Sequence, residues 1–303
     1  MRVIFLGTSG GLPTPRRSLP SVAILREGEM IMFDCGEGTQ AQIMCKGLGF
    51  GRLSKIFISH LHGDHLSGLM GLLMTLTLLE HTSPLDIYGP EQLAPFFDSL
   101  VKDINLRTRF PLKIHTALPG FVAKEDEYFV EAAPAKHSSP CLAFALQERM
   151  RPGRFNLEIA RELGIPEGPT FGRLQKGETV TLSDGRIITP PDVLGPARKG
   201  RRIVYVTDTL YYPQLIPFCR DADLLIHEGM FANDMEDEAR LRKHCTASQA
   251  AKLALDAGVK RLVLVHISAR YNDTSILRDE ARAVFPDTEV ARDLMEIEIP
   301  FED

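Results

Sequence analysis

The chain has 303 residues, 44% of them hydrophobic and 25% charged, with a formal net charge of -5. That length fits one large domain or two small ones with a substantial core, and the negative balance alone argues weakly against a polyanionic partner. Five cysteines (35, 45, 141, 219 and 245) contain no CxxC pair, and their odd number argues against a disulfide framework and for a reducing cytosol.

From the amino terminus, Met1 leads straight into a strand-like run, Val3 to Leu6, so no signal peptide is expected. Alternation over 20–33 predicts an antiparallel hairpin whose second strand, Met30 to Phe33, ends at Asp34. A helix is expected over 38–48. The buried run Ile56 to Ile58 then meets His60, Leu61, His62, Gly63, Asp64 and His65. The following stretch, Leu66 to Leu79, is too short to span a bilayer and suits a buried helix, with Met70, Met74 and their leucine neighbours in the core. His81 after it is expected to fill space or cap, and Glu80 to lie on the surface. A further helix is expected near 92–103. His115 sits in the strand-like Leu112 to Thr116 without ligand context. Alternation over 127–148 predicts strands, with His137 after the first.

Residues 149–202 break the pattern: fourteen of fifty-four are Gly or Pro, and eleven Lys/Arg face six Asp/Glu. Only Phe155 to Leu163 looks helical and about 186–188 strand-like, with too few apolar residues for a separate core. The segment is expected to be a protruding flexible arm inserted in one domain spanning 1–303, and its net positive charge is a handle for a phosphate backbone. Beyond it, Ile203 to Val206 leads to Asp208, Leu224 to Ile226 to His227 and Glu228, and Leu262 to Val265 to His266. Thr246 is placed to cap a helix ending before Gly258, and another helix is expected over 275–284. Alternating strands and helices with some hairpins predict a layered α/β fold with mixed sheets.

The polar residues at strand ends carry the chemistry. Imidazole and carboxylate are suitable ligands for Zn²⁺, and ligands in layered α/β folds gather beyond strand termini. One tetrahedral ion would be over-supplied by this many donors. Two ions about 3.5–4 Å apart sharing a carboxylate would use them.

The His-x-His-x-Asp-His run after a strand resembles the signature of the metallo-β-lactamase superfamily, which implies a four-layer αβ/βα sandwich with metals at one edge. Leu6-Gly7-Thr8-Ser9-Gly10-Gly11, Pro13-Thr14-Pro15-Arg16, Asp34-Cys35-Gly36-Glu37-Gly38-Thr39-Gln40, Gly164 to Pro169, His266-Ile267-Ser268-Ala269-Arg270-Tyr271 and the whole Gly/Pro-rich arm resemble ribonuclease Z more narrowly, over about residues 1–299. That resemblance implies a zinc-dependent endoribonuclease that removes 3′ trailers from precursor tRNA, leaving a tRNA 3′-hydroxyl and a 5′-phosphorylated trailer. It implies a cytoplasmic homodimer with no membrane association. It implies two Zn²⁺ per subunit, Mn²⁺ or another divalent ion being an alternative. His60, His62, His137 and Asp208 would hold one ion. Asp64, His65, Asp208 and His266 would hold the other. Asp64 would accept a proton, His244 would donate one to the leaving oxygen with Glu228 orienting it, and Ser268 and Arg270 would hold the scissile phosphate. Asp34 would fix a ligand imidazole, or cap the following glycine-rich turn. The arm would bind the tRNA elbow.

The chain departs from the family pattern at Thr207 (Gly expected), Gly229-Met230 (Ala-Thr), Cys245 (Ser) and Phe144 (Tyr). None removes a ligand. Two competing readings stay open: a small-molecule phosphodiesterase or other hydrolase on the same scaffold, and a metal-stabilised RNA-binding protein without activity.

Overall fold

In a computed structural model, which describes residues 1–104 and 106–302, the strand Arg2–Gly7 buries both its faces. Val3 and Phe5 enter one apolar cluster, while Ile4 and Leu6 enter another. A strand apolar on both sides has no wet face and requires a layer above and below it. Two mixed seven-stranded sheets provide this. The first runs in the order Glu296–Glu298, Arg2–Gly7, Ser21–Arg26, Glu29–Phe33, Leu53–Phe57, Leu85–Gly89, Leu112–Thr116. The second runs Thr288–Val290, Leu262–Val265, Leu224–Glu228, Arg202–Val206, Cys141–Glu148, Tyr128–Ala135, Gly120–Lys124.

Phe5, Phe33 and Phe57 of the first sheet meet Phe144, Tyr205 and Ile226 of the second in the central cluster. The outer face of the first sheet packs on helices Thr39–Cys45, Gly68–Leu78 and Leu93–Ile104, and that of the second on Ala247–Ala257 and Ser275–Arg282. The result is the four-layer metallo-β-lactamase sandwich. Its parallel strands Glu29–Phe33 and Leu53–Phe57 end side by side, as do Arg202–Val206, Leu224–Glu228 and Leu262–Val265, which is why their terminal loops gather.

Three expectations need correction. His227 and Glu228 lie within the strand Leu224–Glu228, not after it. The helix near 66–79 is not buried throughout. Leu69, Leu72, Leu73 and Leu76 are covered, but Met70, Met74 and Leu78 are 36%, 50% and 82% exposed along the opposite side. Apolar residues on every side hid that amphipathic placement. Finally, residues 148–201 with the chain's last residues from Phe301 form a compact unit apart from Met1–Gln147 and Arg202–Pro300. This smaller unit does have a core: Ala160, Ile165, Leu174, Val180, Leu182, Ile188 and Val193 are buried together. Its helices Leu157–Glu162, Pro169–Gln175 and Pro190–Val193 and the paired strands Val180–Thr181 and Ile187–Ile188 supply it. At its root, Arg201 donates to both oxygens of the buried Glu148 at 2.7 Å. The Phe301 ring lies between two guanidiniums, 3.5 Å from Arg151 and 3.6 Å from Arg201.

Candidate metal and catalytic site

Six imidazoles and four carboxylates, Asp34, Asp64, Asp208 and Glu228, meet at the strand ends of the larger unit. Donor atoms of His60, His62, His137 and Asp208 all lie within 4.8 Å of one another, as do those of Asp64, His65 and His266. The same holds for Asp208, His244 and His266.

In the first set, His62 Nδ1 is 2.9 Å from His60 Nε2 and 3.3 Å from His137 Nε2. Asp208 Oδ2 is 3.6 Å from His60 Nε2 and 3.5 Å from His137 Nε2. In the second, Asp64 Oδ2 is 3.4 Å from both His65 Nε2 and His266 Nε2, and those two nitrogens are 3.3 Å apart. Asp208 Oδ1 is 3.3 Å from His65 Nε2 and 3.2 Å from His266 Nε2. Asp208 therefore turns one oxygen to each set. Four donors set tetrahedrally about 2.0–2.1 Å from one ion would stand about 3.3 Å apart. Both sets have that spacing and the imidazole-carboxylate chemistry of a divalent-cation site, so the residues present fit such an ion.

The backs of the rings are held. His60 Nδ1 lies 3.0 Å from Ser59 Oγ, and His65 Nδ1 lies 2.7 Å from Asp34 Oδ2. His137 Nδ1 lies 3.0 Å from the Lys243 carbonyl. These partners point the Nε2 atoms inward, as ligating histidines require. Burial, reinforced by the charge of the neighbouring His65 ring, pushes His60 down to about 2, so it is a neutral, ligand-ready base. Burial disfavours charge on His65, but the Asp208 and Asp34 carboxylates outweigh it and hold the ring well above its usual value. Burial likewise works against ionised Asp208, yet His266 and His65 outweigh it and keep the carboxyl well below the usual range.

Asp64 Oδ2 also accepts from the Gly11 amide at 2.9 Å. Burial opposes its ionisation, but hydrogen bonds from His266 and His65 prevail and hold it far below the carboxylate range. Glu228 Oε1 takes His244 Nδ1 at 3.0 Å and the Thr209 amide at 2.7 Å, while Oε2 accepts from the Cys245 amide at 3.1 Å. Burial lowers His244, but the Glu228 charge and hydrogen bond overcome this and raise it to about 9. Ser268 Oγ accepts from Arg270 Nε at 3.0 Å, and the Arg270 guanidinium lies 4.8 Å over Phe231, facing outward.

Every residue singled out in the sequence for a metal or catalytic role lies in or beside this cluster. His227 does not join it. Its ring is buried, with Nδ1 2.7 Å from the Glu228 carbonyl, and burial holds it below the usual histidine pKa. The unusual residues are accommodated: Thr207 donates to Asp208 Oδ1 at 2.8 Å, and Cys245 Sγ lies 3.0 Å from the Thr209 carbonyl. Sequence reasoning missed Ser59 and Tyr205, whose hydroxyls reach Asp34, and Cys141, whose sulfur is 3.7 Å from His60 Nδ1. A serine beside the histidine cluster was the one available hint.

The chain matches the family model described as "Beta-lactamase superfamily domain" over residues 179–267, and that of "Anti-Pycsar protein Apyc1" over residues 1–108. It is 45% identical over 303 residues to "Ribonuclease Z" of Methanosarcina acetivorans, covering 99% of each chain. It is 43% identical to "Ribonuclease Z" of Acaryochloris marina, covering 99% of this chain and 98% of that one. Among solved structures, the short form of human tRNase Z superposes with a TM-score of 0.74 at 29% identity, over 99% of this chain and 100% of that one.

Proposed function

The chain belongs to the ribonuclease Z family, metal-dependent endoribonucleases of tRNA 3′-end processing in the metallo-β-lactamase superfamily, and on that premise we propose how its residues carry out the cleavage. The substrate is precursor tRNA, and the products are a tRNA 3′-hydroxyl and a 5′-phosphorylated trailer. His60, His62 and His137 would hold one Zn²⁺ and Asp64, His65 and His266 a second, with Asp208 available to both. When bound, the ions supply Lewis-acid activation of water and of the scissile phosphate.

The protein's own groups then do the following. Asp64, fixed by the Gly11 amide, orients the attacking water and accepts its proton. Held far below the usual carboxylate range, it is an orienting acceptor and not a lasting proton store. His244, charged beside Glu228, donates a proton to the departing 3′ oxygen. Ser268 and Arg270 bind the phosphate, the guanidinium being steadied by Phe231 and the Ser268 hydroxyl. The smaller unit, with its excess of positive charge, engages the tRNA elbow. The protein works in the cytoplasm as a homodimer; the exposed row Met70, Met74 and Leu78 supports a second copy covering that face.

The observation that carries the reading is the pair of four-donor sets sharing Asp208. Incubating purified protein with a 3′-extended tRNA, with and without chelator, tests it. A single cut leaving the expected ends, abolished by chelator and restored by Zn²⁺, is the expected result. Turnover of a cyclic nucleotide or lactam without tRNA cleavage would instead establish the small-molecule hydrolase.

A further inference from the structure

We infer that Tyr205 is a positioning residue of the metal site, holding the His65 imidazole through Asp34, with Ser59 extending the same hold to His60. This rests on the two-cation reading above.

Asp34 is fully buried among apolar strands, where an ionised carboxylate is costly unless its lone pairs are filled. Four donors fill them. Oδ1 accepts from the Ser59 amide at 2.7 Å. Oδ2 accepts from Ser59 Oγ at 2.9 Å, from His65 Nδ1 at 2.7 Å and from the Tyr205 hydroxyl at 2.7 Å. In total this equals the roughly four acceptor sites of a carboxylate, with three of the donors gathered on Oδ2. Ser59 has one hydroxyl proton and gives it to Asp34, so its oxygen is left to accept from His60 Nδ1 at 3.0 Å. One anion thereby fixes protons on the Nδ1 atoms of two rings and frees their Nε2 atoms for ligation. The rings belong to different donor sets, so Asp34 ties the two sets together.

Tyr205 is suited to set the direction of that anion. Its ring is buried and stacks on Phe33, the residue before Asp34, with centroids 5.3 Å apart and planes within 6°. It comes from the second sheet, whereas Asp34, Ser59 and His65 follow strands of the first. Its hydroxyl therefore fixes the carboxylate from across the sandwich. Phe144, its direct cross-strand partner, has no hydroxyl to offer instead.

The test follows zinc uptake in Tyr205→Phe and Ser59→Ala proteins by competition with a chromophoric chelator, with ¹⁵N-labelled histidine rings observed by NMR. Tyr205→Phe keeps the stacked ring and removes one oxygen. It is expected to weaken zinc affinity about tenfold at the set containing His65, and Ser59→Ala similarly at the set containing His60. In the wild-type protein both rings should keep a slowly exchanging Nδ1 proton, with or without zinc. A folded Tyr205→Phe protein that binds zinc like wild type, or a His65 ring lacking that proton, overturns the inference. A wild-type protein that takes up no zinc while both rings keep their protons would sink the cation reading and leave the hydroxyl's hold on the rings supported.

Discussion

Asp34 and His266 both adopt left-handed backbone, with φ of 55° and 57°. For residues bearing a Cβ such conformations cost on the order of 1–3 kcal/mol each. Here they turn the chain at strand ends so that two functional side chains face the same centre. Space around His266 is equally constrained: a Cβ on Gly10 would stand 2.6 Å from its Nδ1. Gly10→Ala should therefore displace that ring and lower precursor cleavage about a hundredfold, as an ångström-scale misplacement does. Single-turnover assays on protein with an unchanged thermal melt would check this. Cysteine reactivity offers a second residue-level expectation. Cys45 is exposed, while burial pushes the Cys35 and Cys219 thiols up to about 12 and covers Cys141 and Cys245. A thiol reagent counted by mass spectrometry should modify one cysteine in the native protein and five after denaturation; more than one fast native adduct would contradict the burial. The candidate ligands were legible because imidazoles and carboxylates at the ends of apolar runs have no packing purpose. Tyr205 was not, because a tyrosine in Arg-Ile-Val-Tyr-Val is indistinguishable from core until its hydroxyl has a partner in another sheet.

Helix Ala247–Ala257 follows the site directly, starting three residues beyond His244. Thr246 caps its start and Gly258 closes it in the left-handed conformation, as their positions in the sequence suggested, and Gln249 completes a reciprocal capping box with Thr246. Thr246→Ala should cost about 0.5–2 kcal/mol in denaturant unfolding and leave zinc affinity unchanged; a loss of zinc would mean that the cap also positions His244. Elsewhere local signals misled. Gly168-Pro169 punctuates like a loop, yet Pro169 occupies the first turn of a helix, where its missing amide is no loss. Methionine and leucine are equally apolar, so hydropathy could not separate the covered side of Gly68–Leu78 from its open side. That open side makes its own prediction. Met74→Lys with Leu78→Lys should convert a dimer to a monomer in light scattering; an unchanged mass would place the subunit contact elsewhere.

Across the larger unit, the buried imidazoles and Asp208 gather donors that cations would join. Stripping the metal should lower stability by about 3 kcal/mol for each ion held at a hundredfold excess over Kd, read as a chelator-dependent fall in Tm that Zn²⁺ reverses. The smaller unit is expected to act on substrate choice. Deleting 152–196 should abolish precursor tRNA cleavage while sparing hydrolysis of a small phosphodiester. Normal cutting of tRNA by that protein would refute the role given to the unit. The place of those cuts matters because of the stack at the unit's root. Glu148, Arg151, Arg201 and Phe301 all survive an excision of 152–196, so the stub can still close on itself. A cut taken after Glu148 and before Ile203 would strand a buried carboxylate and strip an aromatic tail of both its cationic covers. A protein made that way would be sticky and poorly folded, and its silence toward RNA would report the surgery, not the recognition.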